Sequence, residues 1–499
     1  MTPANGQPGR ATRHFSHQPN VPGRGIVAGY SPAFWGLVVT IGVASGLAAA
    51  LLTLLWDGVQ HAAWDYHAGT FLDAVMGATA ARHIVVLLAA GVIAGIVGLL
   101  IRRVRSSGAG EVSEALWWHE GRLSFWLSQS RAVLSTVIVG MGASLGREAA
   151  PQLSGGAMAT VLSEWARIPT WQRRLLVACG AGSGMAAVYN VPLGGALFAV
   201  EVLLGTLSLP LVLPAVAMSA VATAVARVVV PAAPVYLVPV FGVHESQLVW
   251  ALVIGPVAGV VAVCWVRTIA AVNSLKPRRW GRVVAPIVLF SALGATSIAY
   301  PEILGNGKDT VEQALTNQLA IGLVAILLLL KPLATAACLG SGAPGGLFTP
   351  TLTLGVLFGD LLGHGWAVIW PGPAIGSYAI IGGAAVLAAS MQGPLSAVVL
   401  ILELTHTADG LMVPILLAVA EATIVARVLG APSIYSARLS EDVTRARPSL
   451  GPLEPEPPAA PAPPPEGATG VGSLETAPAL SSHHVDPAAP GTIEQEGST

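Results

Sequence analysis

This sequence is short of charge. Asp, Glu, Lys and Arg make up 10% of its 499 residues, where soluble domains carry roughly 25%. A water-facing globule of this length is excluded, and with 54% hydrophobic residues and a mean hydropathy of +0.69 the chain reads as a polytopic membrane protein. Cysteine is almost missing too. Cys179, Cys264 and Cys338 stand in apolar context without a C-x-x-C pair, which argues against a disulfide framework and a zinc site, so neither a metal nor a cofactor is expected. The net charge of −1 gives no basis for a nucleic-acid partner. Beyond Arg447 there is no Phe, Trp, Tyr or Lys, and Pro, Ala, Glu and Ser take over, so nothing there can build a packed core. Residues 441–499 are expected to be a disordered tail.

What the chain has in abundance is apolar runs. Crossing a bilayer takes about 20 such residues, as helix. Candidates run from Ala33 to Trp56, Ile84 to Ile101, Leu211 to Val230, Val249 to Val266, Ile321 to Leu330 and beyond, and Met412 to Val428. Three basic clusters set the orientation through the Lys/Arg bias of cytoplasmic loops: Arg102, Arg103 and Arg105; Arg173 and Arg174; Lys276, Arg278, Arg279 and Arg282. Residues 1–30 carry Arg10, Arg13 and Arg24 without an apolar run. They do not read as a signal peptide, and the N-terminus is expected in the cytoplasm.

The chain also repeats itself. "AAVYNVPLGGALFAVEVL" (Ala186 to Leu203) lies over "AASMQGPLSAVVLILELT" (Ala388 to Thr405), so Pro192 answers to Pro394 and Glu201 to Glu403. Upstream, Gly142 and Gly146 before Arg147-Glu148 correspond to Gly342 and Gly346 before Leu347-Phe348. Two halves of related design follow, about 31–230 and 231–440; in transporters such halves are commonly inverted, with substrate held between discontinuous helices.

Gly/Pro interruptions punctuate this apolar sequence at "SSGAGE" (Ser106 to Glu111), "GASLGREAAP" (Gly142 to Pro151) and "GSGAPGGLFTP" (Gly340 to Pro350). Backbone freed at membrane depth is tolerated only where it lines a cavity or binds something. Each break leads into a helix-like segment, whose N-terminus offers unpaired N–H groups and partial positive charge. That is an anion site weak enough for the ion to leave again.

These motifs resemble those of the CLC family of chloride channels and chloride/proton exchangers: "GREAAP" its GREGP, "GSGAPGGLFTP" its GxFxP segment, "SSGAGE" its GSGIP, and "PSIYSARL" (Pro432 to Leu439) the segment with its inner-gate tyrosine. The likeness covers about Ala33 to Ser440 in family order. It implies an all-α integral membrane fold of two inverted repeats with tilted, partly discontinuous helices, assembled as a homodimer in the cell membrane with one pathway per subunit. Ser107 and Tyr435 would offer hydroxyls to a central chloride, and the N–H groups of Leu347 and Phe348 would complete its site. Glu148 would be the external gate, competing with chloride when ionised and yielding when protonated. Arg147 would pair within the protein and orient the loop.

Departures from the pattern qualify this. Ser106, Ala109 and Gly110 replace the usual Gly, Ile and Pro, and Ala149 and Ala150 replace Gly and Pro. Retention of Ser107 fits chloride, since the nitrate-preferring branch has proline there. Exchangers of the family typically carry two adjacent carboxylates where this chain has Glu201-Val202. Val202 carries no proton, which favours weak or absent proton coupling; an obligate chloride/proton antiporter using Glu201, or a water route, is the alternative. Successive helical residues point about 100° apart, and Glu403 stands in the half without a proton path, so a shared structural role for the two glutamates competes with a proton role for Glu201.

Rival readings are weaker. "GSGAPG" has Pro344 within the turn and too long an apolar approach for a dinucleotide site, and "GNGKDT" lacks the first glycine and the Ser/Thr of a P-loop. An intramembrane serine hydrolase would use Ser183 with a histidine base, yet His61, His67, His83, His119, His244, His364 and His406 all read as segment ends or loops. The chain is not expected to be an enzyme.

Overall fold

In lipid a backbone amide finds no partner outside its own segment, and the apolar runs accordingly become helices. The computed structural model describes residues 30–103, 109, 111–406 and 409–439. Ser107, the N-terminal segment before Tyr30 and the tail after Leu439 lie outside the described residues. The first part comprises α1 (Pro32–Trp64), α2 (Phe71–Gly77), α3 (Ala80–Arg103), α4 (Val112–Trp118), α5 (Phe125–Gly140), α6 (Ala149–Trp165), α7 (Thr170–Tyr189), α8 (Pro192–Leu197) and α9 (Leu209–Ala226). α8 runs on into a wider, π-helical turn at Phe198–Leu203. Then come α10 (Glu245–Ser274), α11 (Gly281–Ser297), α12 (Lys308–Leu315), α13 (Ile321–Gly340), α14 (Phe348–Ile369), α15 (Ile375–Met391), α16 (Pro394–Thr405) and α17 (Met412–Val428). Among the described residues the only β features are two isolated bridges, Ala109 with Leu123 and Gly146 with Gly346.

α1, α3, α9, α10, α13 and α14 are long and apolar enough to cross a membrane. Four of these contain runs named from sequence, and a fifth, α9, ends at Ala226, short of the expected Val230. α14 is the addition, its span disguised by threonines and glycines. The run Met412 to Val428 is helical as expected but, at 17 residues, falls short of that length. His61, His83 and His364 lie inside α1, α3 and α14, each within the first or last turns of its helix, at the segment ends expected of them.

The packing pattern recurs along the chain. α6 lies on α7 and α7 on α9, as α14 lies on α15 and α15 on α17; α1 packs against α9, as α10 packs against α17. At the recurring pairs the backbones touch: a Cβ on Gly155 would strike the Gly180 carbonyl, and one on Gly359 the Tyr378 carbonyl. Without a hydrophobic drive between helices in lipid, such small-residue contacts supply the packing. α3 against α11 and α8 against α16 join one part to the other.

That last joint is reciprocal. α7 ends in left-handed Asn190 (φ 55°) and α15 in left-handed Gln392 (φ 58°), each turning the chain into a short helix that begins with proline. The Glu403 carboxylate accepts from the Leu193 and Gly194 N–H groups at 3.0 and 2.6 Å, at the start of α8. Glu201 accepts from the Leu395 N–H at 3.1 Å and from the Ser396 N–H and hydroxyl, both at 2.6 Å, at the start of α16. Each glutamate caps the helix of the other repeat unit, satisfying donors a helix start leaves open.

Lys331, buried mid-way along α13, donates to the carbonyls of Glu302, Ile303, Leu304 and Gly305 at 2.9 to 3.3 Å. With three N–H bonds for four acceptors, it gathers the turn that precedes α12. The Gly305 N–H in turn donates to the Gly142 carbonyl at 2.9 Å, which ties that turn to the break before α6.

Candidate functional site

Two of the sequence breaks meet face to face. Gly142 (φ 110°) ends the α5 run and Gly342 (φ 91°) the α13 run, both in left-handed conformations that glycine adopts without steric cost. Four residues on, Gly146 and Gly346 exchange N–H···O bonds of 2.8 and 2.9 Å. The loops then enter α6 and α14, so the starts of two helices converge on one spot.

Glu148 fills that spot. Its side chain is buried, and its Oε1 accepts the Phe348 N–H, the first residue of α14, at 2.7 Å. Oε2 accepts from the Tyr189 hydroxyl at 3.2 Å, and that hydroxyl is 2.8 Å from Thr349 Oγ1. A Cβ on either Gly146 or Gly346 would collide with the carboxylate; the bridge glycines form its cradle. The expected position was an outer one at a helix start; the observed donor is the Phe348 amide that the sequence reading gave to the central anion. Leu347 is the residue just before α14, buried with φ −123° and ψ −3°. Arg147 turns away from the spot, donating to the Val188 carbonyl at 3.3 Å and stacking on Trp56 and Tyr189 at 4.8 and 5.0 Å.

Below Glu148 a cavity continues past Gln152 to Tyr435, Glu111, Lys276 and Arg438. Tyr435 packs edge-on against Phe198 at 5.2 Å. Its buried hydroxyl faces Gln152 and, among the described residues, makes no hydrogen bond of normal geometry. Of the six residues singled out from sequence, Glu148 and Tyr435 line one cavity, the Phe348 amide is bonded to Glu148 with Leu347 next to it in the chain, Ser107 lies outside the described residues, and Glu201 stands apart as a helix cap. Val202 and Glu201 border a separate polar recess with Thr206, Gln392, Arg427 and Ser433.

The sequence reading missed Tyr189, which bonds the gate carboxylate. The aligned repeat segments gave little signal, since its mate there is Met391 and the pair is one mismatch among several, such as Val188 over Ser390. Ser183 has no part in such a site. Its hydroxyl donates back to the Cys179 carbonyl at 2.6 Å and lies 3.3 Å from Ser219 Oγ, as a helix-internal serine commonly does.

Residues 90–427 match the model of the family described as voltage gated chloride channel. The chain belongs to the CLC family. A protein named ClcB-like from Ralstonia nicotianae is 33% identical over 386 residues, 74% of this chain and 89% of that one. The voltage-gated ClC-type chloride channel ClcB of Citrobacter koseri is 28% identical over 81% of this chain and 97% of its own length, and the H(+)/Cl(-) exchange transporter ClcA of Vibrio parahaemolyticus 31% identical over 60% and 66%. Among solved structures, a slow cyanobacterial Cl-/H+ antiporter superposes with a TM-score of 0.73 at 21% identity, covering 84% of this chain and 99% of that one. CLC proteins are integral membrane proteins that move ions and are not enzymes, and anion transport of the CLC type is the activity of this chain. Relatives of both channel and exchanger name stand beside it.

Proposed function

We propose that this CLC protein conducts chloride across the cell membrane along the path from Glu148 to Tyr435, with Glu148 as the gate and with weak or absent coupling to protons. One observation carries the reading: a buried carboxylate occupies the N–H donor at the start of α14, the position and the partner an anion would take. Ionised, Glu148 is a tethered competitor for chloride. Protonated, it loses the charge that the helix start attracts and gives up the donor. The hydroxyls of Ser107 and Tyr435 and the amides of Leu347 and Phe348 form the central site, and the working unit is a homodimer of two such paths, built from inverted halves 31–230 and 231–440 with the N-terminus in the cytoplasm.

Absence of coupling is favoured by Val202, which has no proton to give, and by the engagement of both Glu201 oxygens with the start of α16. The exchanger reading draws its support from the recess beside Glu201, where water could carry protons. The test is purified protein in chloride-loaded liposomes, with Glu148→Gln beside the wild type. Chloride flux should persist in the mutant while its pH dependence disappears; a mutant that keeps the wild-type pH profile removes Glu148 from the gate.

A further inference from the structure

The Tyr435 ring stands in the proposed anion path, and among the described residues its hydroxyl faces Gln152 but makes no hydrogen bond of normal geometry. Its position therefore depends on how the chain on either side is held. On one side the Ile434 N–H donates to the Ser390 carbonyl at the end of α15, at 2.8 Å. On the other side the Ala437 N–H and the Ser436 hydroxyl bond back to the Ser433 carbonyl at 2.8 and 2.9 Å, and Arg438, one helical turn beyond the ring, carries the polar contacts to other parts of the chain. Its guanidinium reaches Glu111 Oε1 at 3.4 Å, just before α4, and the Gly345 carbonyl at 3.5 Å, in the break before α14; its carbonyl accepts from Asn273 near the end of α10 at 2.8 Å. Glu111 is itself fixed by Arg131 of α5. The Arg438 side chain is only slightly exposed and that of Glu111 about a third exposed, so the contact is partly shielded from bulk water, unlike a fully exposed pair, which would count for little.

We propose that the Arg438–Glu111 ion pair is a latch that sets the position of the Tyr435 ring in the anion path, with Arg438 as a positioning residue that need not touch the ion. The proposal rests on the reading of Tyr435 as part of that path. Three segments from distant parts of the chain, before α4, before α14 and after α17, are clamped at one guanidinium. Releasing it lets the segment carrying Tyr435 shift and changes the lining of the route at the ring. A lysine at 438 keeps the charge but loses the planar fork that serves two acceptors at once, so it should restore the latch in part.

The experiment measures chloride flux and the nitrate/chloride flux ratio in liposomes for Arg438→Gln, Glu111→Gln, Arg438→Lys and Tyr435→Ala, and for Arg438→Gln combined with Tyr435→Ala. Arg438→Gln and Glu111→Gln should each change chloride flux roughly two- to tenfold, the lower part of the range for coupling between residues in contact, and shift the ratio in the direction of Tyr435→Ala. Arg438→Lys should lie between them and the wild type. Added to Tyr435→Ala, Arg438→Gln should do nothing further, because the ring through which it acts is gone. An undiminished Arg438→Gln effect in the Tyr435→Ala background overturns the latch, as does an inert Arg438→Gln where Tyr435→Ala is active. If Arg438→Gln does not fold, Glu111→Gln opens the same latch from the other side and takes its place in both backgrounds. A Tyr435→Ala protein that behaves as wild type would instead dismiss the reading of Tyr435, and the latch with it.

Discussion

Two residues that bind no ion show how little slack the site has. Gly346 makes room for the gate: in Gly346→Ala the new methyl would meet the Glu148 carboxylate in its present seat, and the bonded backbone bridge to Gly146 leaves the glycine little freedom to withdraw. Glu148 should be displaced, so chloride flux should rise and its pH dependence flatten in the liposome assay, with the wild-type profile retained if the carboxylate finds another seat. Lys331 is the second. Replacing it by Met takes the ammonium from four carbonyls and leaves those of Ile303, Leu304 and Gly305 bare while Glu302 keeps the Thr310 hydroxyl; at about 1 kcal/mol or more for each buried acceptor left bare the loss should be roughly 3 kcal/mol or more, read as a lowered unfolding temperature in detergent. At this scale the sequence was informative where motifs singled out residues that the fold brings to one cavity, as with Glu148 and Tyr435. It was silent where the role comes from contact across the chain: nothing near Tyr189, Lys331 or Arg438 in sequence names the carboxylate or carbonyls each one meets.

Among the elements, the short helices α8 and α16 are completed by each other's glutamates. Glu403→Gln and Glu201→Gln weaken the same kind of joint, since an amide accepts less strongly than a carboxylate and brings an N–H2 group toward other donors. Both variants should lower stability and total flux together; selective loss of proton movement in Glu201→Gln with chloride flux intact would reassign Glu201 to proton transfer. A second cap lies outside the spanning helices. The Thr70 N–H and hydroxyl bond Asp73 across the start of α2, and these bonds hold its carboxyl below the usual carboxylate range. The box is therefore intact at neutral pH and is lost as pH falls through that depressed value, so unfolding followed from neutral to acid pH should show an acid-sensitive contribution that Asp73→Asn lacks. The aligned segments made the α8 and α16 pair visible beforehand, because a proline and a glutamate recur at one offset. Which helix each glutamate would cap was hidden, because equal spacing does not say whether a partner lies in the same half or the other. The span of α14 was hidden for a different reason: its threonines and glycines lower hydropathy, although the threonines at 349, 351 and 353 are buried against protein rather than lipid.

For the whole molecule, the open matter is what moves with the anion. With Val202 beside a fully bonded Glu201, a chloride gradient across liposomes should drive little uphill proton movement, and Val202→Glu should raise it or leave it unaltered. Robust uphill pumping by the wild type would make the chain an exchanger. Composition announced a membrane protein, and the order of motifs announced the family. What composition could not convey is that the two parts share their ends. The amides at Leu193 and Gly194 are satisfied by Glu403, which in the chain lies 209 residues beyond Gly194. At ribosomal rates of about 5–20 residues per second, α8 emerges roughly 10–40 s before the residue that finishes it, and meanwhile the Glu201 carboxylate awaits a helix not yet made. Bare amides and a bare carboxylate are costly in lipid. The first part of the chain must therefore stay loosely docked, or lean on water at the membrane surface, until α16 arrives; assembly is forced to be late and nearly all-or-none, and a nascent chain stalled after α9 would be a substrate for quality control rather than half a transporter.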